Sequence, residues 1–237
     1  MLLYVIRHGH PDYATDTLLP EGYEEARLCA ERLKMSGIDR IYSSSMGRAL
    51  QTAAPTAKAL GLPVTVCDWA RELDEYSMTT YPDGVKKLIS NLPPQYLHRR
   101  EFSRFSIEDD LEFLPGICDS EFPAQYRTIS EGLDGMLREN GYSRNADGFY
   151  DVTEGNDRHV ALFCHCGMQR VIMSHLLHIP YRYVGSTLVN HFTGITIYVF
   201  NNRGEETTSP RLVSYGDVGH LYFKGESPVL FYTKKPM

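Results

Sequence analysis

The stretch LLYVIRHGHPD, residues 2–12, decides the predicted fold. It begins with a continuous apolar run, which is typical of a strand buried on both faces of a parallel sheet. The polar residues that follow support two different interpretations. They contain an H-x-H-x-D spacing, typical of a metal site at a strand end, and an Arg-His-Gly sequence that fits anion chemistry without a metal. The rest of the chain is needed to choose between these interpretations.

The size and charge of the chain exclude several classes of protein. A chain of 237 residues and 27.0 kDa can form one large α/β domain, and its apolar fraction of 42% is sufficient for a sizeable core. The net charge of -6 provides no basic field that would attract nucleic acid or anionic lipid. We therefore predict neither nucleic acid nor a membrane as a partner. An anionic ligand must be held by a local group of arginines and histidines.

The N-terminal residues and the cysteines favour a cytoplasmic location. The apolar run at residues 2–6 is too short for a secretory signal, and no basic segment precedes it. No apolar run approaches the length of a membrane span. The five cysteines are an odd number without regular spacing, which favours reduced thiols in the cytoplasm.

Strand and helix patterns alternate in the first third of the chain. After the first strand, the spacing of apolar residues predicts a helix over 20–35, a strand over 38–42, a helix over 47–60 and a strand over 63–67. Pro55 predicts a kink or an early restart in the second of these helices. The β-α-β-α-β order indicates a three-layer α/β/α sandwich with a mostly parallel sheet.

The alternation breaks down after the third strand and resumes later. The stretch 77–156 holds prolines, charged segments and one predicted helix over 125–139, and we interpret it as an insertion that carries substrate contacts or serves as a structural cap. A strand, a helix and another strand then follow at 159–164, 168–178 and 194–200, with further strand candidates near 212–215 and 229–232. Residues 1–237 are predicted to form one domain that contains this insertion.

Three predicted strands end in a cationic residue beside the start of a helix. Arg7 ends the first strand, Arg48 lies in the first turn of the helix after the second, and His165 follows a later buried strand. Ligands of open α/β sheets bind at the carboxyl ends of the strands, and helix N-termini attract anions. The adjacent Cys164 and Cys166 do not make His165 a zinc ligand, because consecutive strand residues point to opposite faces.

Taken in order, these motifs resemble the histidine phosphatase superfamily, which has the phosphoglycerate mutase-like fold. The resemblance covers residues 1–75 and 158–200. It rests on Arg7-His8-Gly9, Leu18-Leu19-Pro20-Glu21-Gly22, Ser43-Ser44-Ser45 through Arg48, Gln51-Thr52-Ala53, and His165 with Gly167. Glu72 falls where the family places an acidic residue after the third strand, and Asn190 matches the asparagine that commonly precedes the late strand.

The resemblance implies a role for each matching side chain. His8 would be the nucleophile that forms a phosphohistidine, while Arg7, Arg48 and His165 would surround the phosphoryl oxygens. Glu72 would protonate the leaving-group oxygen and then take a proton from the attacking water. Because the two arginines supply the positive charge, the resemblance implies no metal and no cofactor. The expected substrate is a small phosphorylated molecule.

Two assignments stay open in the sequence. Glu75 lies one turn beyond Glu72 and is the alternative acid, although the position directly after Arg71 favours Glu72. His10 stands where the family usually has glutamate or glutamine. It either lines the pocket mouth and contacts the leaving group or only fills the turn. His10, Glu75 and Asn190 are therefore candidate residues of the substrate pocket.

Three other functions compete with a phosphatase. A mutase of this family typically carries Glu-Ser-x-x-Asn and a Gly-Trp element after Arg-His-Gly, but Pro11, Asp12 and Tyr13 stand there instead. A metal-dependent hydrolase built on the H-x-H-x-D spacing would leave Arg7 and Arg48 without a purpose. A binding protein that has lost turnover would not need to keep the nucleophile and the acid. The sequence identifies neither the natural substrate nor the oligomeric state.

Overall fold

The computed structural model describes residues 1–73, 111–112, 118, 120–200 and 206–222, together with the backbone of two short strands at 78–80 and 86–88. The strands are β1 (Leu2–Arg7), β2 (Pro11–Asp12), β3 (Thr17–Leu18), β4 (Arg40–Ser44), β5 (Val64–Cys67), β6 (Met78–Thr80), β7 (Lys86–Leu88), β8 (Tyr142–Arg144), β9 (Tyr150–Val152), β10 (His159–Cys164), β11 (Ile195–Val199), β12 (Thr207–Thr208) and β13 (Arg211–Asp217). The helices are α1 (Pro20–Lys34), α2 (Gly47–Leu60), α3 (Phe122–Glu139), α4 (Cys166–Leu177), α5 (Tyr181–Thr187) and α6 (Gly219–Tyr222). Within the described ranges, no helix has the length and apolar character needed to cross a membrane.

Six strands form the central sheet in the order β13-β11-β1-β10-β4-β5. Strands β1, β10, β4 and β5 run parallel to one another, whereas β11 pairs antiparallel with β1 on one side and with β13 on the other. The two central parallel strands, β1 and β10, are buried along almost their whole length, as their continuous apolar runs predict. The sheet is therefore mostly parallel, with antiparallel pairing confined to one side.

Helices cover both faces of this sheet. Helices α1 and α2 pack on one face, where Leu33 and Ala53 join a core cluster with Ile6 of β1. Helices α3 and α4 pack on the other face, where Leu133 and Val171 join the larger core cluster. These three layers confirm the α/β/α sandwich that the sequence predicts.

Part of the stretch assigned to an insertion belongs to the main core. Helix α3 lies within residues 77–156, and it packs Tyr126, Ile129 and Leu137 into the same cluster as the sheet and α4. Its buried positions repeat at helical spacing, which explains why the sequence revealed this helix. Most of the residues between β5 and α3 lie outside the described ranges, so their predicted substrate contacts stay a prediction.

Several element boundaries depart from the sequence prediction, since α3 begins at Phe122, α4 at Cys166 and β4 at Arg40 rather than at 125, 168 and 38. Helix α2 continues through Pro55, so the predicted restart does not occur. Its packing against α1 outweighs the one backbone hydrogen bond that a proline removes. The strand predicted over 38–42 extends to Ser44, because its ladder with β10 continues through Ser43. The strand candidate near 229–232 lies outside the described residues.

The register of the sheet aligns the carboxyl ends of three neighbouring strands. The parallel pairing of β1 with β10 places Arg7 beside Cys164, and the pairing of β10 with β4 places Phe163 beside Ser43. The residues that follow these strands therefore meet at one edge. This is the edge at which open α/β sheets bind ligands.

Candidate active site

His8 and His165 follow neighbouring parallel strands and meet at this edge. Their ring centroids are 5.2 Å apart, and both side chains are almost completely buried. Arg7, at the end of β1, and Arg48, in the first turn of α2, are also buried. Their positive charges add to the effect of burial in lowering the pKa of both histidines. The structure thus brings together the four cationic or histidine side chains that the sequence indicated.

The hydrogen bond of His8 determines which of its ring nitrogens is available. Nδ1 lies 2.7 Å from the carbonyl oxygen of Gly9, and a carbonyl can only accept, so Nδ1 carries the proton. Burial, and after it the charge of Arg7, lowers the pKa of His8 to about 3. The ring is therefore neutral at neutral pH, and Nε2 keeps its lone pair. A neutral imidazole nitrogen can act as a nucleophile.

His165 is held in place by the end of β4. Its Nε2 lies 2.8 Å from Ser44 Oγ, and Ser44 Oγ also accepts a hydrogen bond from the backbone N–H of Met46 at 3.3 Å. Burial, followed by the neighbouring His8 ring, lowers the pKa of His165 well below its usual value. Within the described ranges, the buried Nδ1 atom of His165 has no hydrogen-bond partner. Such an atom is expected where a ligand completes the site.

Arg7 is fixed by the loop that precedes β11. Its Nη1 donates to the carbonyl oxygen of Asn190 at 2.5 Å, and its Cζ lies 4.1 Å from the ring centroid of Phe192. The Asn190 side chain is buried and donates to Gln169 Oε1 at 2.5 Å. Asn190 therefore lies behind Arg7 and supports it through its backbone oxygen.

Helices α1 and α2 hold the turn that follows β1. Thr52 Oγ1 donates to the carbonyl oxygen of Arg48 at 2.7 Å and accepts from the backbone N–H of Gly9 at 2.9 Å. The start of α1 packs directly on the same turn, because a Cβ atom on Gly22 would lie 2.2 Å from the carbonyl oxygen of His10. Only glycine, which has no Cβ atom, allows two backbones to approach this closely.

Glu72 lies at the N-terminus of α4, the helix that follows His165. Its carboxylate accepts backbone hydrogen bonds from Gly167 at 3.2 Å and from Met168 at 3.1 Å. A Cβ atom on Gly167 would lie 2.7 Å from Glu72 Oε1, so this glycine makes room for the carboxylate. Gly167 lies two residues after His165 in the chain. The alternative acid, Glu75, lies outside the described residues.

His10 lies at the rim of the site, with a side chain that is 28% exposed. Its ring stacks on Phe192 with centroids 4.7 Å apart, and its Nδ1 is 3.9 Å from a carboxylate oxygen of Glu21. Its backbone N–H donates to Glu25 Oε2 at 2.8 Å. The backbone thus fills the turn, while the ring remains partly exposed to solvent.

Three side chains at the site were not assigned a role by the sequence. Phe192 is buried against Arg7 and the rings of three histidines. Asp16 forms an ion pair with Arg48, and the exposed ring of Tyr13 lies 5.4 Å from Arg48 Cζ. Phe192 occupies a loop without periodicity, so no pattern marks it. The signal that the sequence offered for Asp16 was its place in the chain, as an acidic residue shortly before the start of α1.

The H-x-H-x-D spacing does not form a metal site. His8 Nδ1 is engaged by a carbonyl, the His10 ring stacks on Phe192, and the Asp12 carboxylate accepts from the backbone of Ala14 and from a threonine hydroxyl. In the part of the chain that the structure describes, no group of three or more His, Cys, Asp or Glu side chains could hold a metal ion. The three side chains of this spacing are therefore engaged in other contacts and do not converge on one point.

Comparison with known proteins relates this site to one superfamily. The model of the histidine phosphatase superfamily (branch 1) matches residues 3–106. A probable phosphoglycerate mutase of Enterobacter sp. is 33% identical over 81 residues, which is 30% of this chain and 38% of that protein. A probable phosphoglycerate mutase of Serratia proteamaculans is 28% identical over 145 residues, 56% of this chain and 59% of that protein. The chain thus aligns with well under two thirds of the length of these curated relatives.

Two solved structures share the fold over nearly the whole chain. A phosphoserine phosphatase of Entamoeba histolytica, in complex with phosphoserine, has a TM-score of 0.61 at 19% identity and covers 93% of this chain and 98% of its own. A mycobacterial glucosyl-3-phosphoglycerate phosphatase has a TM-score of 0.60 at 21% identity and covers 91% of this chain and 98% of its own. At these identities the likeness concerns the fold. The family match over residues 3–106 shows that the first part of the chain is similar to the histidine phosphatase superfamily, and the solved structures show that the chain shares the fold of these phosphatases.

Proposed function

We propose that the chain is a metal-independent phosphatase that hydrolyses phosphomonoesters through a phosphohistidine on His8. The observation that carries the proposal is the hydrogen bond between His8 Nδ1 and the Gly9 carbonyl oxygen in a buried site. The proton of His8 lies on the Nδ1 that faces Gly9, and the His8 pKa of about 3 leaves Nε2 unprotonated beside the buried Arg7 and Arg48. A nucleophile next to positive charge is the arrangement that phosphoryl transfer requires.

In the first step, His8 Nε2 forms a bond to phosphorus while the ester P–O bond breaks. Glu72 gives a proton to the departing oxygen, so the alcohol leaves uncharged. Arg7, Arg48 and His165 bind the phosphoryl oxygens and stabilise the charge that they carry in the transition state. Splitting hydrolysis in this way replaces one difficult step with two easier ones.

In the second step, water attacks the phosphorus of the phosphohistidine. The Glu72 carboxylate takes a proton from this water, the N–P bond breaks, and inorganic phosphate is released. His8 returns to its neutral form with the proton still on Nδ1. Each residue thus recovers its starting state, and the cycle consumes one ester and one water.

The proposed substrate is a small phosphomonoester. Fold neighbours are named for phosphoserine and glucosyl-3-phosphoglycerate, and one was solved in complex with 3-phosphoglyceric acid, so these compounds form the first substrate panel. The second candidate function is phosphoryl transfer between positions of a sugar acid, because curated relatives carry the name probable phosphoglycerate mutase. The replacement of the mutase motif by Pro11, Asp12 and Tyr13 supports the phosphatase.

A reducing compartment is the proposed location of this activity. Cys29, Cys67, Cys164 and Cys166 form no disulfide in the structure, and burial raises the pKa of Cys29 to about 12. Thiols that are buried and protonated are inert packing groups. Such thiols support a reducing compartment, the cytoplasm.

The test is hydrolysis of p-nitrophenyl phosphate by protein that has been treated with a chelator. We expect the wild-type chain to release phosphate, and we expect His8→Ala to lose at least about a thousandfold in kcat/KM because the nucleophile is gone. His178→Asn is the matched control, since His178 is exposed and has a positive φ of 55°, which asparagine tolerates.

Two results would contradict the proposal. One is activity that disappears with the chelator and returns when zinc or manganese is added, which would indicate metal-dependent hydrolysis. The other is isomerisation of 3-phosphoglycerate, primed with 2,3-bisphosphoglycerate, at a rate above that of phosphate release. That result would favour the mutase.

A further inference from the structure

The hairpin that follows the catalytic turn places a carboxylate on Arg48. Residues 13–16 connect β2 to β3, and Asp16 is the last residue of this connection. Its Oδ1 accepts from Arg48 Nη1 at 2.5 Å, and its Oδ2 accepts from the backbone N–H of Gly47 at 2.6 Å. One carboxylate thus binds both the guanidinium and the N-terminus of α2, where a negative charge is favourable.

Gly47 and the hairpin fit each other closely. A Cβ atom on Gly47 would lie 2.3 Å from the carbonyl oxygen of Asp16, so a larger residue would push the hairpin away from α2. Asp16 itself has a φ of 53°, a conformation that aspartate adopts more readily than most residues. In the same connection, the Asp12 carboxylate accepts from the backbone N–H of Ala14 at 2.9 Å and from Thr15 Oγ1 at 3.0 Å and does not contact Arg48.

The guanidinium of Arg48 is buried and needs such a partner. Its side chain is 6% exposed, whereas that of Asp16 is 39% exposed. Nη2 contacts Met46 Sδ at 3.6 Å, and the ring of Tyr13 lies 5.4 Å from Cζ. Nε is buried and has no hydrogen-bond partner among the described residues. A buried arginine that lost its carboxylate would have no fixed orientation and would keep an uncompensated charge.

We propose that Asp16 is a positioning residue, which holds the Arg48 guanidinium in the orientation that receives the phosphoryl group. This inference rests on the proposed function for its kinetic meaning, because Arg48 is the residue through which Asp16 acts. The Asp16 carboxylate, the Met46 sulfur and the Tyr13 ring together fix the guanidinium before the substrate arrives. Preorganised charge of this kind stabilises a transition state without reorganisation during the reaction.

The test is a double-mutant cycle with phosphate release from p-nitrophenyl phosphate as the readout. We expect Asp16→Ala to lower kcat by at least about tenfold and to change KM by less, because preorganisation acts mainly in the transition state. In the Arg48→Ala background the same substitution should have almost no further effect, because residues that act through each other are not additive. Asp16→Asn, which keeps an oxygen acceptor, should recover part of the loss.

Asp12→Asn is the matched control, because it makes the same change in the same hairpin without a contact to Arg48 and should leave kcat within about twofold. Losses of Asp16→Ala and Arg48→Ala that simply multiply would overturn the proposal, and so would a kcat of Asp16→Ala equal to that of wild type.

Binding of inorganic phosphate, measured by calorimetry, provides a readout without turnover. If the wild type has no phosphatase activity, the proposed function fails. The positioning role would still be supported if Asp16→Ala weakened phosphate binding in the wild-type background but not in the Arg48→Ala background.

Discussion

At the scale of single residues, the site consists of neutral histidines beside charged arginines. His8 and His165 are almost fully buried, and burial is the largest cause of their lowered pKa values. Two protonated rings 5.2 Å apart would repel each other and the two arginines. In the proposed mechanism, the neutral state leaves the His8 ring able to attack phosphorus, while Arg7 and Arg48 carry the charge that would attract the substrate.

The sequence identified these four side chains because each follows a strand end or starts a helix. It could not identify Phe192 or Asp16, since both act through the conformation of loops. Phe192 is recognised only when the chain has folded and its ring lies between Arg7 and the stacked ring of His10. Sequence order does not encode such contacts between distant residues.

The choice between the two acids is tested at this scale. We expect Glu72→Gln to lower kcat for 3-phosphoglycerate by about a hundredfold, with a smaller loss for p-nitrophenyl phosphate, because nitrophenolate leaves with little need for a proton. Glu75→Gln serves as the comparison and should lose far less on both substrates. Steady-state kinetics with the two substrates measure the difference. A larger loss in Glu75→Gln would show that Glu75 is the acid.

At the scale of elements, the sequence predicted the periodic segments well. Strand β10 and helix α2 have the predicted ends, because uninterrupted apolar runs and helical spacing are strong local signals. The continuation of α2 through Pro55 could not be predicted, since it depends on packing against α1. The assignment of α3 to the main core also required the fold, because an amphipathic helix does not indicate which surface it covers.

The contact between α1 and the catalytic turn is tested by Gly22→Ala. A Cβ atom at this position would lie 2.2 Å from the carbonyl oxygen of His10, so α1 or the turn must shift. We expect a loss of about 1–3 kcal/mol in the free energy of unfolding and a reduced kcat, because the turn carries His8. Urea denaturation and the phosphatase assay measure the two effects.

Gly135→Ala in α3 is the control for this substitution. A Cβ atom on Gly135 meets only the side chain of Arg138, at 3.8 Å. Alanine has the higher helix propensity, so Gly135→Ala should be neutral or stabilising by about 0.5–1 kcal/mol. Equal destabilisation by both substitutions would show that close packing on the turn is not the cause.

At the scale of the whole molecule, the fold was predictable because its sheet is built from strong local signals. Four parallel strands with helices on both faces follow from the β-α order and the handedness of its connections. The antiparallel pairing of β11 could not be read from its composition, and the sequence does not show that β11 lies next to β1. The position of β11 beside β1 matters for the candidate site, because the loop before β11 supplies the oxygen that holds Arg7.

Burial of neutral histidines makes the stability of the molecule depend on pH. Burial is the largest cause that lowers the pKa of His8 to about 3 and that of His220 to about 4. The unfolded chain therefore binds protons below about pH 6.5 that the folded chain does not bind, and stability falls as the pH decreases from there toward the folded pKa values. Each such group contributes up to ~1.4 kcal/mol per pH unit in this window.

Urea denaturation between about pH 7.5 and about pH 5 measures this slope. We expect His220→Gln to reduce the slope, because it removes one of the buried histidines, whereas the exposed His178→Asn should leave it unchanged. A free energy of unfolding that stays constant across this range would contradict the neutral, buried state of these rings.

The most direct test of the central claim is to trap the phosphoryl group on the enzyme. Chain that is mixed with p-nitrophenyl phosphate, quenched in alkali within the first turnover and digested should yield one phosphorylated peptide in mass spectrometry, with an acid-labile phosphoryl group on His8. The peptide should be absent from His8→Ala and present in His178→Asn. Rapid turnover without any phosphorylated histidine, or with the phosphoryl group on another residue, would contradict the account.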